Sequence, residues 1–168
     1  MNEKLTAIKT AIAVFFTTLS AFLGWQGVMV LIWIGAMAID YISGSLAAWL
    51  SGEWSSAVAR EGLKHKAGMF LVVIVAALTD ITLVIICDHL PLDMAWPVLV
   101  LPLVLAWYIL TELGSVLENA VKMGAPLPRW LMNLLTAGLK IIDRKGDTIA
   151  EKPVEEAVAE STDKEQKE

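Results

Sequence analysis

Val28-Met-Val-Leu-Ile-Trp-Ile-Gly-Ala-Met-Ala-Ile-Asp40 is a twelve-residue apolar run closed by an acid. A second such run, Met69-Phe-Leu-Val-Val-Ile-Val-Ala-Ala-Leu-Thr-Asp80, lies downstream. Between them sits the cationic stretch Arg60-Glu-Gly-Leu-Lys-His-Lys66. Runs this apolar, extended on both sides by further apolar residues, read as membrane-spanning helices. A carboxylic acid inside one costs roughly 2.5–3.5 kcal/mol on insertion scales, so it faces protein or water. The fold class that follows is an all-α membrane protein.

The composition agrees. The chain has 168 residues, 57% of them hydrophobic, where a soluble domain has about 45–50%. The net charge of −5 is concentrated at the C-terminal end, because Asp143–Glu168 holds nine acids against five bases. No basic surface is left for nucleic acid. One cysteine, Cys87, and two separated histidines, His65 and His89, support neither a disulfide framework nor a metal centre. No metal, cofactor or catalytic group is expected. The N-terminal apolar segment continues into the next after a few residues, so it reads as retained rather than as a cleaved signal.

A span needs about 20 residues. Four segments qualify, at about 5–24, 28–50, 67–87 and 94–117, with Gly24-Trp-Gln-Gly27 as the first turn and 51–66 as a basic loop. Three spans are the alternative, with the first segment lying in the interface. Pro97 and Pro102 stand near the start of the fourth and can kink it. Lys4 and Lys9 precede span one, Arg60, Lys64 and Lys66 lie between spans two and three, and Lys122, Arg129, Lys140, Arg144 and Lys145 follow span four. The connections 24–27 and 88–93 have no lysine or arginine. The positive-inside rule therefore puts both termini and the basic loop in the cytoplasm. Arg60, Lys64 and Lys66 read as topology determinants and lipid contacts.

After Gly124-Ala-Pro-Leu-Pro128 a further helix spans about 129–142. Arg129, Asn133, Thr136 and Lys140 share one face; Trp130, Leu131, Leu134, Leu135, Leu139 and Ile142 cover the other. It is too short to span. It is amphipathic enough to lie on the inner leaflet, or to pack on the cytoplasmic ends of the bundle. The chain thus divides into a helical membrane domain, 1–142, and a charged, disordered cytoplasmic tail, 143–168, which lacks aromatics.

Three constellations stand out. Ala36, Asp40, Gly44 and Ala48 recur at four-residue spacing, a small-residue face that lets another helix approach closely. That face suits either a contact between protomers, a water-lined path, or a groove inside one bundle. Asp80 follows Ala76 at the same spacing. Counted from a loop ending at Lys66, Asp40 and Asp80 differ in depth by roughly 6 Å and fall in nearly the same layer. Two charged carboxylates could not sit side by side there. An aspartyl intramembrane protease also uses two such acids, but Ala77-Leu-Thr before Asp80 is not its Gly-x-Gly-Asp motif. Lastly, Glu112, Ser115 and Asn119 form a polar seam at the inner end of span four, with Glu118 at its exit.

That last stretch, Thr111-Glu-Leu-Gly-Ser-Val-Leu-Glu-Asn119 with Gly124, Pro126 and Pro128, resembles the small phage-lysis and toxin-secretion holins, which include the toxin-release proteins of clostridia. Their pattern is Asn-Glu-x-x-Ser-Ile-Leu-Glu-Asn, then Gly and Pro-x-Pro. Glu112, Ser115, Leu117, Glu118 and Asn119 match, while Thr111 replaces the Asn and Val116 the Ile. Asp40-x-x-x-Gly44, the serines after Gly52 (Ser55, Ser56), Gly62-Leu63-x-x-Lys66 and Asp80 look like the same family's earlier motifs. The resemblance covers roughly Trp33 to Leu135, and the acidic tail from Glu151 departs from it.

The resemblance implies a phage or prophage holin: a non-enzymatic protein that oligomerises in the membrane and opens lesions. Through these an endolysin, or in relatives a toxin, leaves the cell, and the host lyses. Its implied partners are further copies of itself, the lipid bilayer, a functionally linked endolysin and a separate antiholin. A short-offset second start is absent, since the methionine after Met1 is Met29. Ala36, Asp40, Gly44, Ala48, Asp80, Glu112, Ser115, Glu118 and Asn119 are the candidate oligomerisation or pore residues. The alternatives are a small oligomeric channel or carrier for ions or protons, and a membrane scaffold acting through the tail.

Overall fold

The computed structural model describes residues 2–89 and 98–165; side chains are described at only a few positions before Gly24 and at none beyond Glu151. Four helices follow one another: α1 (Asn2–Leu50), α2 (Ser56–His89), α3 (Val100–Lys122) and α4 (Arg129–Glu165). No strand occurs among the described residues.

Glycines punctuate the chain. α1 is broken at Gly24, whose φ of 66° and ψ of −169° interrupt the helical backbone. Positive φ comes without strain only for a residue lacking Cβ. The body of α1 resumes after it, so the expected turn at 24–27 is a one-residue break. At its far end Glu53 N–H donates to Ala48 O (2.9 Å) and Gly52 N–H to Trp49 O (3.2 Å). With Gly52 at φ +74° this is a Schellman cap. α3 ends the same way: Ala125 N–H donates to Ala120 O at 3.0 Å and Gly124 N–H to Val121 O at 2.9 Å.

Among the described residues three helical stretches are long and apolar enough to cross a membrane: Gly24–Leu50, Ala59–His89 and Val100–Lys122. The expected first span, 5–24, lies mostly outside the described side chains, and the connection 90–97 lies outside the described residues altogether. The expected basic loop is corrected. The connection is only 51–55, and Arg60–Lys66 belongs to α2. Polar residues there extend a helix beyond the apolar core instead of ending it.

α3 is the central element. It packs closely on α1, less so on α2 and on α4, while α1 and α2 barely touch. The core lies where the first three meet: Trp33 and Met37 from α1, Met69 and Val73 from α2, Leu105 from α3. Trp33, 1% exposed, stacks on Tyr108 (centroids 6.1 Å apart, 21°) and leans on Phe70 (4.8 Å, 54°). Most other large apolar side chains of α1 and α2 point outward, among them Ile42, Leu71 and Val75. In a bundle whose solvent is hydrocarbon that is the expected distribution.

Pro102 does not kink α3. It stands in the first turn, where a missing N–H is one the helix would leave unpaired in any case. The remaining unpaired donors are taken by Asp80 of α2. Its Oδ1 accepts from Leu99 N–H (3.2 Å) and Val100 N–H (3.1 Å), and its Oδ2 from Leu101 N–H (2.8 Å). Leu103 N–H then opens the regular ladder onto Leu99 O (3.1 Å). Every N-terminal donor of α3 is accounted for, and a carboxylate meets the positive end of the helix dipole. α4 folds back on α3, where Gly138 meets Leu110, and it carries the 129–142 segment on into the charged stretch.

Candidate functional site

Three charges sit at one level of the bundle. Asp40 is ten residues before the end of α1 at Leu50, Lys66 ten after the start of α2 at Ser56, and Glu112 ten before the end of α3 at Lys122. At 1.5 Å per residue, each is about 15 Å in from the same end. The Lys66 ammonium donates to Asp40 Oδ2 at 3.0 Å and to Glu112 Oε2 at 2.5 Å. The side chains are 12%, 19% and 5% exposed, respectively. Charge-assisted bonds of this length, out of water, are far stronger than surface pairs.

Asn119, two turns beyond Glu112 on α3, extends the cluster outward. Its Nδ2 donates to Asp40 Oδ1 (3.1 Å) and to Ser43 Oγ (3.1 Å), and Ser43 Oγ donates to the Asp40 carbonyl at 3.0 Å. Gly44 makes room, since a Cβ there would lie 3.3 Å from Asn119 Nδ2. The Asp40-x-x-x-Gly44 spacing therefore has a local reason. The acid and the gap that admits its amide partner must lie on one face, a turn apart.

The other candidates distribute as follows. Ala36 is buried in the bundle. Ala48 lines a cleft of about 610 Å³ between α1 and α2, with Gly44, Ser45 and Ala47 beside it and Ala59 and Gly62 opposite. Asp40, Lys66 and Asn119 lie in this cleft as well, and Trp54, Glu53 and Lys122 also line it. Ser115 is half-buried and Glu118 exposed. Arg60 and Lys64 are exposed, and Lys64 pairs only loosely with Glu61 (3.6 Å).

Two expectations are corrected here. Lys66 is no surface charge; it is the cation that holds α1, α2 and α3 together at one point. Asp40 and Asp80 are not in one layer either. Asp80 lies fourteen residues beyond Lys66 on α2, roughly 21 Å further along the helix. Both corrections have one cause: α2 begins about ten residues earlier than a loop ending at Lys66 allows. Ser55-Ser56, a pair of good helix-capping residues, was the available signal. Ser43 and the Trp33–Tyr108 stack had no sequence signal beyond ordinary helix spacing.

No metal-binding group of three acids, histidines or cysteines occurs among the described residues. The arrangement neutralises charge where three helices meet. Residues 17–139 match the model of the bacteriophage holin family. This chain belongs to the bacteriophage holin family. The family is a non-enzymatic, pore-forming membrane family whose members assemble as oligomers. This holin resembles an uncharacterized protein of Halalkalibacterium halodurans, 29% identical over 129 residues, 77% of this chain and 91% of that one. It also resembles uncharacterized proteins of Listeria innocua and Listeria monocytogenes. The first is 30% identical over 76% of this chain and 84% of the relative, the second 35% over 57% and 61%. No solved structure matches it.

Proposed function

We propose that this holin accumulates in the bacterial inner membrane as a closed protomer and then assembles into lesions that release a cell-wall hydrolase. The match to the family over 17–139 carries the reading. Positive-inside bias supports a cytoplasmic location for both ends of the chain and for the 51–55 turn. The Asp40–Lys66–Glu112 cluster suggests how premature assembly is avoided. With its acids already bonded inside the protomer, they have no call on a neighbour. The small-residue face at Ala36 and Gly44 is likewise spent inside the bundle. Association must then use the outer faces of the helices, and opening would require the cluster to rearrange. A linked endolysin and a separately encoded antiholin are the partners this scheme needs; release of a toxin is the variant seen in the family's secretion branch.

The test is a timed lysis assay in bacteria that carry the hydrolase in the cytoplasm. Wild type gives abrupt lysis after a delay. Lys66→Met and Asp40→Asn, by loosening the cluster, advance its onset. Unchanged timing in both removes the cluster from the mechanism, and absence of hydrolase release from wild type sinks the lesion reading. An ion channel through one protomer is the second reading, favoured by Asp40, Lys66 and Asn119 in the cleft. Beyond Asp40 and Lys66, however, the Trp33–Met37–Met69–Val73–Leu105 core closes the way, so the cleft ends blind.

A further inference from the structure

α2 and α3 each present an open side as well as a buried one. On α2 the buried row is Met69, Val73, Ala76 and Asp80. At about 100° per residue the far side carries Arg60, Lys64, Ala67 and Leu71, all exposed. On α3 the buried row is Pro102, Leu105, Glu112 and Asn119. Its far side carries Trp107, Thr111, Gly114 and Glu118, of which the outer two are exposed and the inner two half-buried.

The two rows match level for level. Arg60 is four residues after the start of α2 and Glu118 four before the end of α3, at the same end of the bundle. Lys64 and Gly114 are eight in, Ala67 and Thr111 eleven, Leu71 and Trp107 fifteen. At 1.5 Å per residue these levels lie roughly 6, 12, 17 and 22 Å from that end. Copies inserted with one topology in one membrane keep their levels. α2 of one copy and α3 of the next therefore meet antiparallel and in register, without either sliding.

What meets there is complementary. A guanidinium faces a carboxylate, with Lys64 one turn away to add to the attraction. Ala67 and Gly114 let the backbones come close, and Leu71 (66% exposed) meets the ring of Trp107 (38%). Arg60 and Glu118 make no ion pair among the described residues. Both lie inside stretches apolar enough to span, where a charge without a partner is costly.

We propose that the far face of α2 on one copy docks on the far face of α3 on the next, with Arg60 bonded to the neighbouring copy's Glu118. The two faces belong to different helices, so the contact is head-to-tail and repeats around a ring or along an arc. It leaves the Asp40–Lys66–Glu112 cluster bonded within each copy. The contact rests on the reading that association uses the outer faces of the helices, and says which faces they are.

Cysteine cross-linking tests it. The full chain with Cys87→Ser carries Leu71→Cys, Trp107→Cys or both, and is oxidised in vesicles of phosphatidylethanolamine and phosphatidylglycerol at high protein density. The double variant gives a ladder of dimers, trimers and larger species, while each single variant stays monomeric. Dimers from either single variant, the mark of a symmetric contact, overturn the proposal, as does a double variant without a ladder. On the double-cysteine background Arg60→Glu or Glu118→Arg lowers cross-linking several-fold, because like charges then meet. The two reversals together restore it, and failure to restore it overturns the proposal as well. None of these outcomes depends on lysis. A ladder from a chain that releases no hydrolase in cells supports the contact and sinks the lesion reading; normal release without a ladder sinks the contact alone.

Discussion

Lys66 shows how one residue can be both the costliest and the most connected in a membrane bundle. Its ammonium and two carboxylates are largely withdrawn from water, and their mutual bonds, with the one from Asn119 to Asp40, offset that loss. Removing the cation strands two acids, so Lys66→Met is expected to destabilise the protomer by about 3–5 kcal/mol. Adding Asp40→Asn and Glu112→Gln to it should recover most of the loss, because no uncompensated charge is left. Unfolding of the detergent-solubilised protein by denaturant measures both, and a single variant as stable as wild type would deny the cluster its structural weight. Trp33 poses the opposite case, since its buried Nε1 has no partner among the described residues. An orphan donor costs about 1–3 kcal/mol, so Trp33→Phe should give back in relief much of what it loses in contact. It is expected to stay within about 1.5 kcal/mol of wild type, whereas Trp33→Ala, which opens a cavity, costs about 3–5 kcal/mol. The same unfolding curves separate the two.

Elements are joined here by groups that finish one another's backbones. α3 cannot begin inside a nonpolar slab unless something takes its first N–H groups, and Asp80 of α2 takes three of them. Asp80→Ala is expected to cost at least about 2 kcal/mol and to speed hydrogen exchange at Leu99, Val100 and Leu101 without touching the Lys66 cluster. Exchange rates unchanged at those amides would mean that water already serves them. At the other end of the bundle Gly44→Leu should force α1 off α3, because Asn119 is pinned by two bonds and cannot yield. The elements themselves were largely legible in the sequence. Apolar runs marked the spans, and Gly124 with its prolines marked the end of α3. The start of α2 was not, because Arg60, Lys64 and Lys66 look like loop residues when only hydropathy is counted. The role of Asp80 was hidden for a related reason. A cap supplied by a different helix leaves no spacing to read.

At the scale of the whole molecule the bundle is lopsided: α3 binds α1, α2 and α4 while α1 and α2 scarcely meet. What made the site illegible as a site was this arrangement, since Asp40, Lys66 and Glu112 come from three helices and meet only once all three registers are known. Their equal distance from one end shows the meeting only once α2 is known to begin at Ser56. The gap left between α1 and α2 is walled by Gly44, Ser45, Ala47, Ala48, Ala59 and Gly62, too small to close it. Polar groups lie within it, and a cavity of about 610 Å³ with hydrogen-bonding partners takes up water. Ser45→Cys, in a Cys87→Ser chain, is therefore expected to react with a membrane-impermeant thiol reagent. Ile42→Cys, 65% exposed on the outward side, should be shielded by lipid instead. By the positive-inside rule the reagent reaches Ser45→Cys in inverted inner-membrane vesicles and not in right-side-out ones. Ala48→Trp fills the cleft and should slow that labelling several-fold while leaving the Lys66 bonds in place. If Ser45→Cys is as inert as Ile42→Cys, the cleft is dry, and the cluster is then cut off from the cytoplasm and can answer only to movements of the helices themselves.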